Sequence, residues 1–296
     1  VLLIVAVGAG LLAAAAARRL PARRTPVVAA ARETGRHQTG LRARWLRRMD
    51  PEAATGLALT LALVLVFGAG VLIAVLAVVV RRTDALAGID SGAADFGHDH
   101  ATAWSTHGLD VATAFGETWM ALVVCVVVAL VDWRRTRSPW VAPFLAAVMV
   151  GDKLLTTGLK DLVGRVRPDL NPIAATLGPS FPSGHSSTSA ALWAAVALVA
   201  GRWLGRRALP ALAALAVGVP AAVAASRVLL DVHWLTDVIA GLALGWAWFA
   251  TCAVAFGGRV LRFGAPVEAA QEAAQARGRP PRGVGGASPP RHPATK

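Results

Sequence analysis

The side chains with chemistry to offer are few, and they fall in three short clusters. Residues 226–237 read Ser-Arg-Val-Leu-Leu-Asp-Val-His-Trp-Leu-Thr-Asp, placing Arg227, His233 and Asp237 where two hydrophobic segments meet. If the chain turns helical near His233, Asp237 follows at i+4 on the same face, where a carboxylate can fix an imidazole's tautomer and orientation. An imidazole held in that way is prepared as a nucleophile or base. Taken alone, the stretch fits an interfacial arginine beside a structural His/Asp pair equally well. Two further clusters stand upstream: Lys160, Arg165 and Arg167 before Pro168, and Phe-Pro-Ser-Gly-His at 181–185.

These residue types suit phosphoryl transfer, in which charge spreads over several oxygens and the protein mainly positions and stabilises it. Lys160, Arg167 and Arg227 supply positive charge. The planar fork of arginine can hold two phosphate oxygens, and lysine acts as a movable point charge. Ser183 and Gly184 stand where a helix beginning near His185 would offer unpaired backbone N–H groups to an anion, with Pro182 fixing the turn before it. His233, oriented by Asp237, can attack phosphorus; His185 can protonate the departing oxygen and then help water hydrolyse the phosphohistidine. This arrangement calls for no metal and no cofactor.

The elements that must position these groups are membrane helices. The 296 residues are 55% hydrophobic and 16% charged, with a mean hydropathy of +0.55, more apolar surface than one water-soluble core can bury. The expected fold class is all-α: a polytopic bundle with six core spans at about 56–80, 113–132, 141–159, 185–201, 208–225 and 234–256. Residues 1–17 read as one extra N-terminal membrane segment rather than a signal peptide, because the basic residues follow it instead of preceding it. Residues 1–55 as a whole divide into that segment and a basic cytoplasmic linker. Residues 56–256 form the six-span domain, and residues 257–296, rich in Gln, Gly, Pro, Ala and Arg, form a disordered cytoplasmic tail.

The formal net charge of +13 comes from arginines flanking the spans. That is the mark of cytoplasmic loops facing anionic lipid, not of a nucleic-acid partner. The positive-inside rule puts the linker, Arg134 to Arg137, Arg202 to Arg207 and Arg259 inside, leaving Arg81 and Arg82 as exceptions. Strict alternation then places all three clusters at one end of the bundle, the extracytoplasmic end, so parity alone brings Lys160, Arg167, Ser183, Gly184, His185, Arg227, His233 and Asp237 together.

Other polar features read more plainly. The stretch 83–110, with His98-Asp99-His100, fits a solvated loop better than a metal site. Arg165 could touch a second phosphate or lipid head group, or face solvent. Asp152 and Lys153 read as a pair that makes burial within the third span tolerable, with Lys153 on the stripe of Lys160 as the alternative. Gly241 and Gly245 form a Gly-x-x-x-Gly suited to packing inside the bundle. Cys125 and Cys252 read as buried small side chains.

Together the three clusters resemble the signature of the type 2 phosphatidic acid phosphatase superfamily. It runs Lys, six residues, Arg-Pro; Pro-Ser-Gly-His; then Ser-Arg, five residues, His, three residues, Asp. The resemblance covers about residues 56–256. It implies His233 as nucleophile, Asp237 as its orienting partner and His185 as general acid, with Lys160, Arg167, Ser183, Gly184 and Arg227 on the phosphate. It also implies a metal-independent phosphatase acting on a lipid phosphate or diphosphate in the cytoplasmic membrane, with undecaprenyl diphosphate as the leading substrate. Phosphatidic acid and phosphatidylglycerol phosphate are the alternatives, and a non-catalytic lipid-phosphate binder or transporter is the alternative of another class. The signature also binds vanadate in soluble haloperoxidases, from which the six spans separate this chain. Members often carry glycine two residues before the third-motif histidine; here Asp231 stands there, expected to face water.

Overall fold

The computed structural model describes residues 51–100, 102–168, 178–204 and 206–260. The apolar segment at 1–17, nearly all of the basic linker and the tail beyond 260 lie outside the described residues. Eight α-helices follow in order: α1 Pro51–Arg82, α2 Ala87–Asp99, α3 Ala103–Ala114, α4 Thr118–Thr136, α5 Val141–Val163, α6 Gly184–Leu204, α7 Leu209–Leu229 and α8 Leu235–Val260. Among the described residues there is no strand. Two helices stop at a left-handed residue whose amide satisfies one of the last carbonyls: Arg137 (φ 54°) after α4 and Gly164 (φ 62°) after α5.

Among the described residues five helices, α1 and α5 to α8, are long and apolar enough to cross a bilayer. The bent pair Thr106–Ala114 and Thr118–Thr136, broken by 46°, passes the same test together and brings the number to six when counted as one span. A single straight helix over 113–132 is thus replaced by α3 and α4. The break holds Gly116, where a Cβ would lie 2.8 Å from the carbonyl oxygen of His185 and 2.7 Å from Val223 Cγ1. Only glycine lets the backbone come so close to the neighbouring helices.

The bundle is organised around α6, whose apolar window is 61% buried against 17% for α1. Lipid tails are as apolar as leucine, so helices in a bilayer associate through close packing of small residues. In α6 the residues Ser186, Ser187, Ser189, Ala190, Ala191, Ala194 and Ala195 are all buried. From α8, Gly241 and Gly245 press against the carbonyls of Ser183 and Ser187, so this Gly-x-x-x-Gly is spent within the bundle. At the end away from Ser183, buried Asp132 of α4 accepts hydrogen bonds from Trp203 Nε1 and Thr136 Oγ1, each at 2.9 Å, and pairs with Arg202 at 3.1 Å. Phe144, Leu145, Val148, Val199 and Cys252 fill the core between.

Two polar features depart from their sequence reading. Asp152 is not paired with Lys153: it is buried and accepts from Ser187 Oγ and from Thr188 Oγ1 (2.9 Å), tying α5 to α6, while Lys153 is exposed. The stretch 83–110 is not a solvated loop but contains α2 and most of α3. Small residues let α2 dock: Asp90, Ala94 and Gly97 are buried, and a Cβ on Gly97 would lie 2.8 Å from Leu229 Cα.

Candidate active site

The connection from α7 to α8 is shaped by the last turn of α7. The amides of Val232 and His233 both donate to the Arg227 carbonyl, at 3.2 and 3.1 Å, folding the chain back over the helix end. Asp231 takes up the reversal at φ 56°, a left-handed conformation that favours glycine. His233 emerges 2% exposed. Its Nδ1 lies 3.4 Å from Asp237 Oδ2, which also accepts the Trp234 amide at 3.0 Å. On the other side of the ring, Arg167 Nη1 lies 3.1 Å from Nε2. Guanidinium can only donate, so the network assigns Nε2 the lone pair and gives Nδ1 the proton, directed at Asp237. Burial lowers the His233 pKa to about 4, against the opposing hydrogen bond and charge of Asp237. The imidazole is neutral at ordinary pH.

Arg167 is itself buried and also donates to the carbonyls of Val232 (2.6 Å), Gly178 (2.9 Å) and Pro179 (3.4 Å). Burial draws its guanidinium below the ordinary range, with Asp237 acting against the shift. Lys160 Nζ reaches the same Pro179 carbonyl at 2.5 Å. The two first-motif cations therefore meet at one short segment in front of α6. Arg227 is 8% exposed, and its Nε is buried without a hydrogen-bond partner among the described residues. A buried donor left unmade costs about 1–3 kcal/mol, so the position favours an anion.

At the start of α6, Ser183 is fully buried. Its amide donates to the Asp237 carbonyl at 3.0 Å, and its hydroxyl accepts from Ser186 Oγ at 3.0 Å. The Ser183 amide is thereby spent on joining α6 to α8 and is not part of an anion cradle. Gly184 and His185, the first residues of the helix, keep the N–H groups that a helix start leaves without intrahelical partners. His185 is half-buried, within electrostatic reach of Arg227, His233 and Arg167. Ser226, the first residue of the third motif, packs behind the site, its hydroxyl 2.7 Å from Thr113 Oγ1 of α3.

Two expectations change here. Arg165 neither faces solvent nor points to a lipid: Nη1 donates to Asp237 Oδ1 and Thr236 Oγ1, and Nη2 to Asp90 Oδ2, each at 2.7 Å. Asp231 does not face water. It is 7% exposed, 3.6 Å from His98 Nδ1, and burial raises its pKa against the opposing effect of His98. Arg81, the exception to the charge rule, donates to the Leu162 carbonyl at the end of α5 (3.2 Å), where a cation complements the helix dipole.

Asp90 was missed by sequence reasoning. It is 1% exposed and accepts the Thr236 amide (2.9 Å) and hydroxyl (2.7 Å) besides Arg165. The available signal was the spacing of Asp90, Ala94 and Gly97, which puts one small-residue stripe on a helix.

Residues 140–260 match the model of the PAP2 superfamily. The chain is 34% identical over 133 residues to phosphatidylglycerophosphatase B of Bacillus subtilis, covering 43% of this chain and 62% of that protein. It is 36% identical over 120 residues to a lipid A 1-phosphatase of Rhizobium etli (37% and 47%). With decaprenylphosphoryl-5-phosphoribose phosphatase of Mycobacterium tuberculosis it shares 33% over 135 residues (44% and 69%). A crystal structure of the transmembrane PAP2 type phosphatidylglycerolphosphate phosphatase from Bacillus subtilis shares the fold, with a TM-score of 0.59 and 24% identity over 64% of this chain and 95% of that one. The chain belongs to the PAP2 superfamily. It spans less than two thirds of the length of the first two relatives, 62% and 47%.

Proposed function

We propose that this protein is an integral membrane phosphatase that removes the terminal phosphate of a lipid phosphate or diphosphate at the extracytoplasmic face. The observation that carries this reading is the His233 imidazole, held between Asp237 at Nδ1 and Arg167 at Nε2. The nitrogen with the lone pair is thus the one facing the cations. Phosphate oxygens held by Lys160, Arg167, Arg227 and the Gly184 and His185 amides would set phosphorus against Nε2. As the N–P bond forms, the P–O bond to the lipid breaks, and protonated His185 gives its proton to the departing oxygen. Asp237 stabilises the charge that the imidazole gains. His185, now neutral, takes a proton from water, whose oxygen attacks phosphorus; the N–P bond breaks and phosphate leaves.

The relatives' names have in common a phosphate attached to a lipid, which supports this substrate class. Within it, undecaprenyl diphosphate is the leading substrate. Lys153 follows the stripe of Lys160 seven residues earlier, two helical turns or about 10 Å deeper, and it is exposed. A lysine so deep in a span is costly unless it meets an anion or water, and the retained phosphate of a diphosphate would suit it.

Phosphate release in detergent with chelator present, from undecaprenyl diphosphate and phosphatidic acid in parallel, tests the reading. Turnover that persists with chelator and disappears in H233A is expected. Lys153→Met should slow the diphosphate about tenfold and leave phosphatidic acid unchanged. Folded wild-type protein that binds either lipid without releasing phosphate would overturn the enzymatic reading in favour of a binding protein.

A further inference from the structure

We infer that Asp90, on a helix outside all three motifs, is a positioning residue for the nucleophile. Through Arg165 it sets how much of the negative charge of Asp237 reaches His233. This rests on the role proposed above for His233.

The two oxygens of Asp237 have different partners: Oδ2 faces His233 Nδ1 and Oδ1 is bonded by Arg165 at 2.7 Å. An arginine there competes with the imidazole for the carboxylate. Left alone, it would draw charge from the side that must stabilise a developing imidazolium. Asp90 answers it from behind. Its carboxylate lies 2.7 Å from Arg165 Nη2 and also accepts the Thr236 amide and hydroxyl. The pair of aspartates brackets one guanidinium whose side chain is 14% exposed, and Trp234 covers it with the ring centroid 5.4 Å from Cζ. Water screens such a group weakly.

The other charged groups around His233 are accounted for. Arg167 approaches from the α5–α6 connection, Arg227 from α7 and His185 from α6, all cationic or able to become so. Against them stand Asp237 and, one ion pair further, Asp90. Loss of the Asp90 charge leaves Arg165 with Asp237 as its single counter-ion and makes His233 less basic. Loss of the Arg165 charge does the opposite.

The prediction is a pair of shifts of opposite sign, which a purely structural role would not produce. In full-length protein labelled with 15N-histidine, the titration of His233 is followed by NMR and assigned by its disappearance in H233N. Asp90→Asn should lower the midpoint and Arg165→Gln raise it, each by about half a unit, with the double variant returning near wild type. In phosphate release from undecaprenyl diphosphate, D90N should lower kcat about tenfold with KM little changed, and D90E should restore most of it. Because the NMR midpoint requires no turnover, an inactive wild type would count against the proposed function alone. If D90N does not fold, R165Q tests the same linkage. Midpoints that do not move in either variant, or that move in the same direction, would overturn the assignment.

Discussion

Gly245 lies so close to the carbonyl oxygen of Ser187 that a Cβ on it would sit 2.2 Å from that oxygen. Neither backbone can yield without separating α8 from α6. Gly245→Ala is expected to destabilise the protein by about 1–3 kcal/mol and to lower kcat, because His185 and the His233–Asp237 pair move apart with their helices. Thermal unfolding in detergent and phosphate release check the two effects separately. Gly158→Ala, where nothing lies within 4 Å, should be silent in both.

The depressed pKa of His233 has a consequence for stability. Its folded value, about 4, lies below the value of roughly 6.5 in an unfolded chain. Between these limits the unfolded state binds a proton that the folded state does not. Stability from this group is therefore full above about pH 6.5 and falls as pH drops toward 4. His233→Gln should flatten the dependence of melting temperature on pH within that window. An equal slope in wild type and variant would show that other groups govern acid sensitivity.

The unpartnered Nε of Arg227 makes a prediction about anions. Inorganic phosphate should raise the melting temperature of the wild type by favouring the folded state and should do so far less for Arg227→Gln. Arg227→Lys keeps the charge and loses the planar fork, so a fall in kcat/KM of about 100-fold is expected, measured by phosphate release. A lysine variant as active as wild type would mean that the fork is not used.

Asp231 combines a left-handed backbone with a buried carboxylate whose Oδ1 has no hydrogen-bond partner among the described residues. Asp231→Gly should stabilise the protein by about 1 kcal/mol, since a non-glycine residue in this conformation costs about 1–2 kcal/mol. Asp231→Ala relieves the carboxylate but not the backbone and should gain less. Thermal unfolding of the two variants ranks these contributions, and a glycine variant less stable than wild type would give the His98 contact the larger weight.

The residues of the three motifs converge at one end of the bundle, as alternation of the spans required, because parity depends on the number of crossings and not on their exact bounds. What the sequence left hidden depends on contacts far apart along the chain. Arg165 looked like a loop arginine because its partner Asp90 lies 75 residues earlier, in a polar stretch whose Gly and Ser residues obscure the helix. The Ser183 amide looked available because nothing local shows that the Asp237 carbonyl takes it. Asp152 looked like the partner of Lys153 because neighbours in sequence are visible, whereas Ser187 and Thr188 on α6 are not.

Helix α6 is secured at both ends: by the Ser183 amide on Asp237 at one, and by Arg202 and Trp203 on Asp132 at the other. It acts as a tie rod running the depth of the bundle, with α8 seated against it through glycine. Bending this pair would pull the Ser183 and Asp237 ends of the site apart. Among the described spans α1 has the least buried apolar window, 17%, and so adds little to that tie.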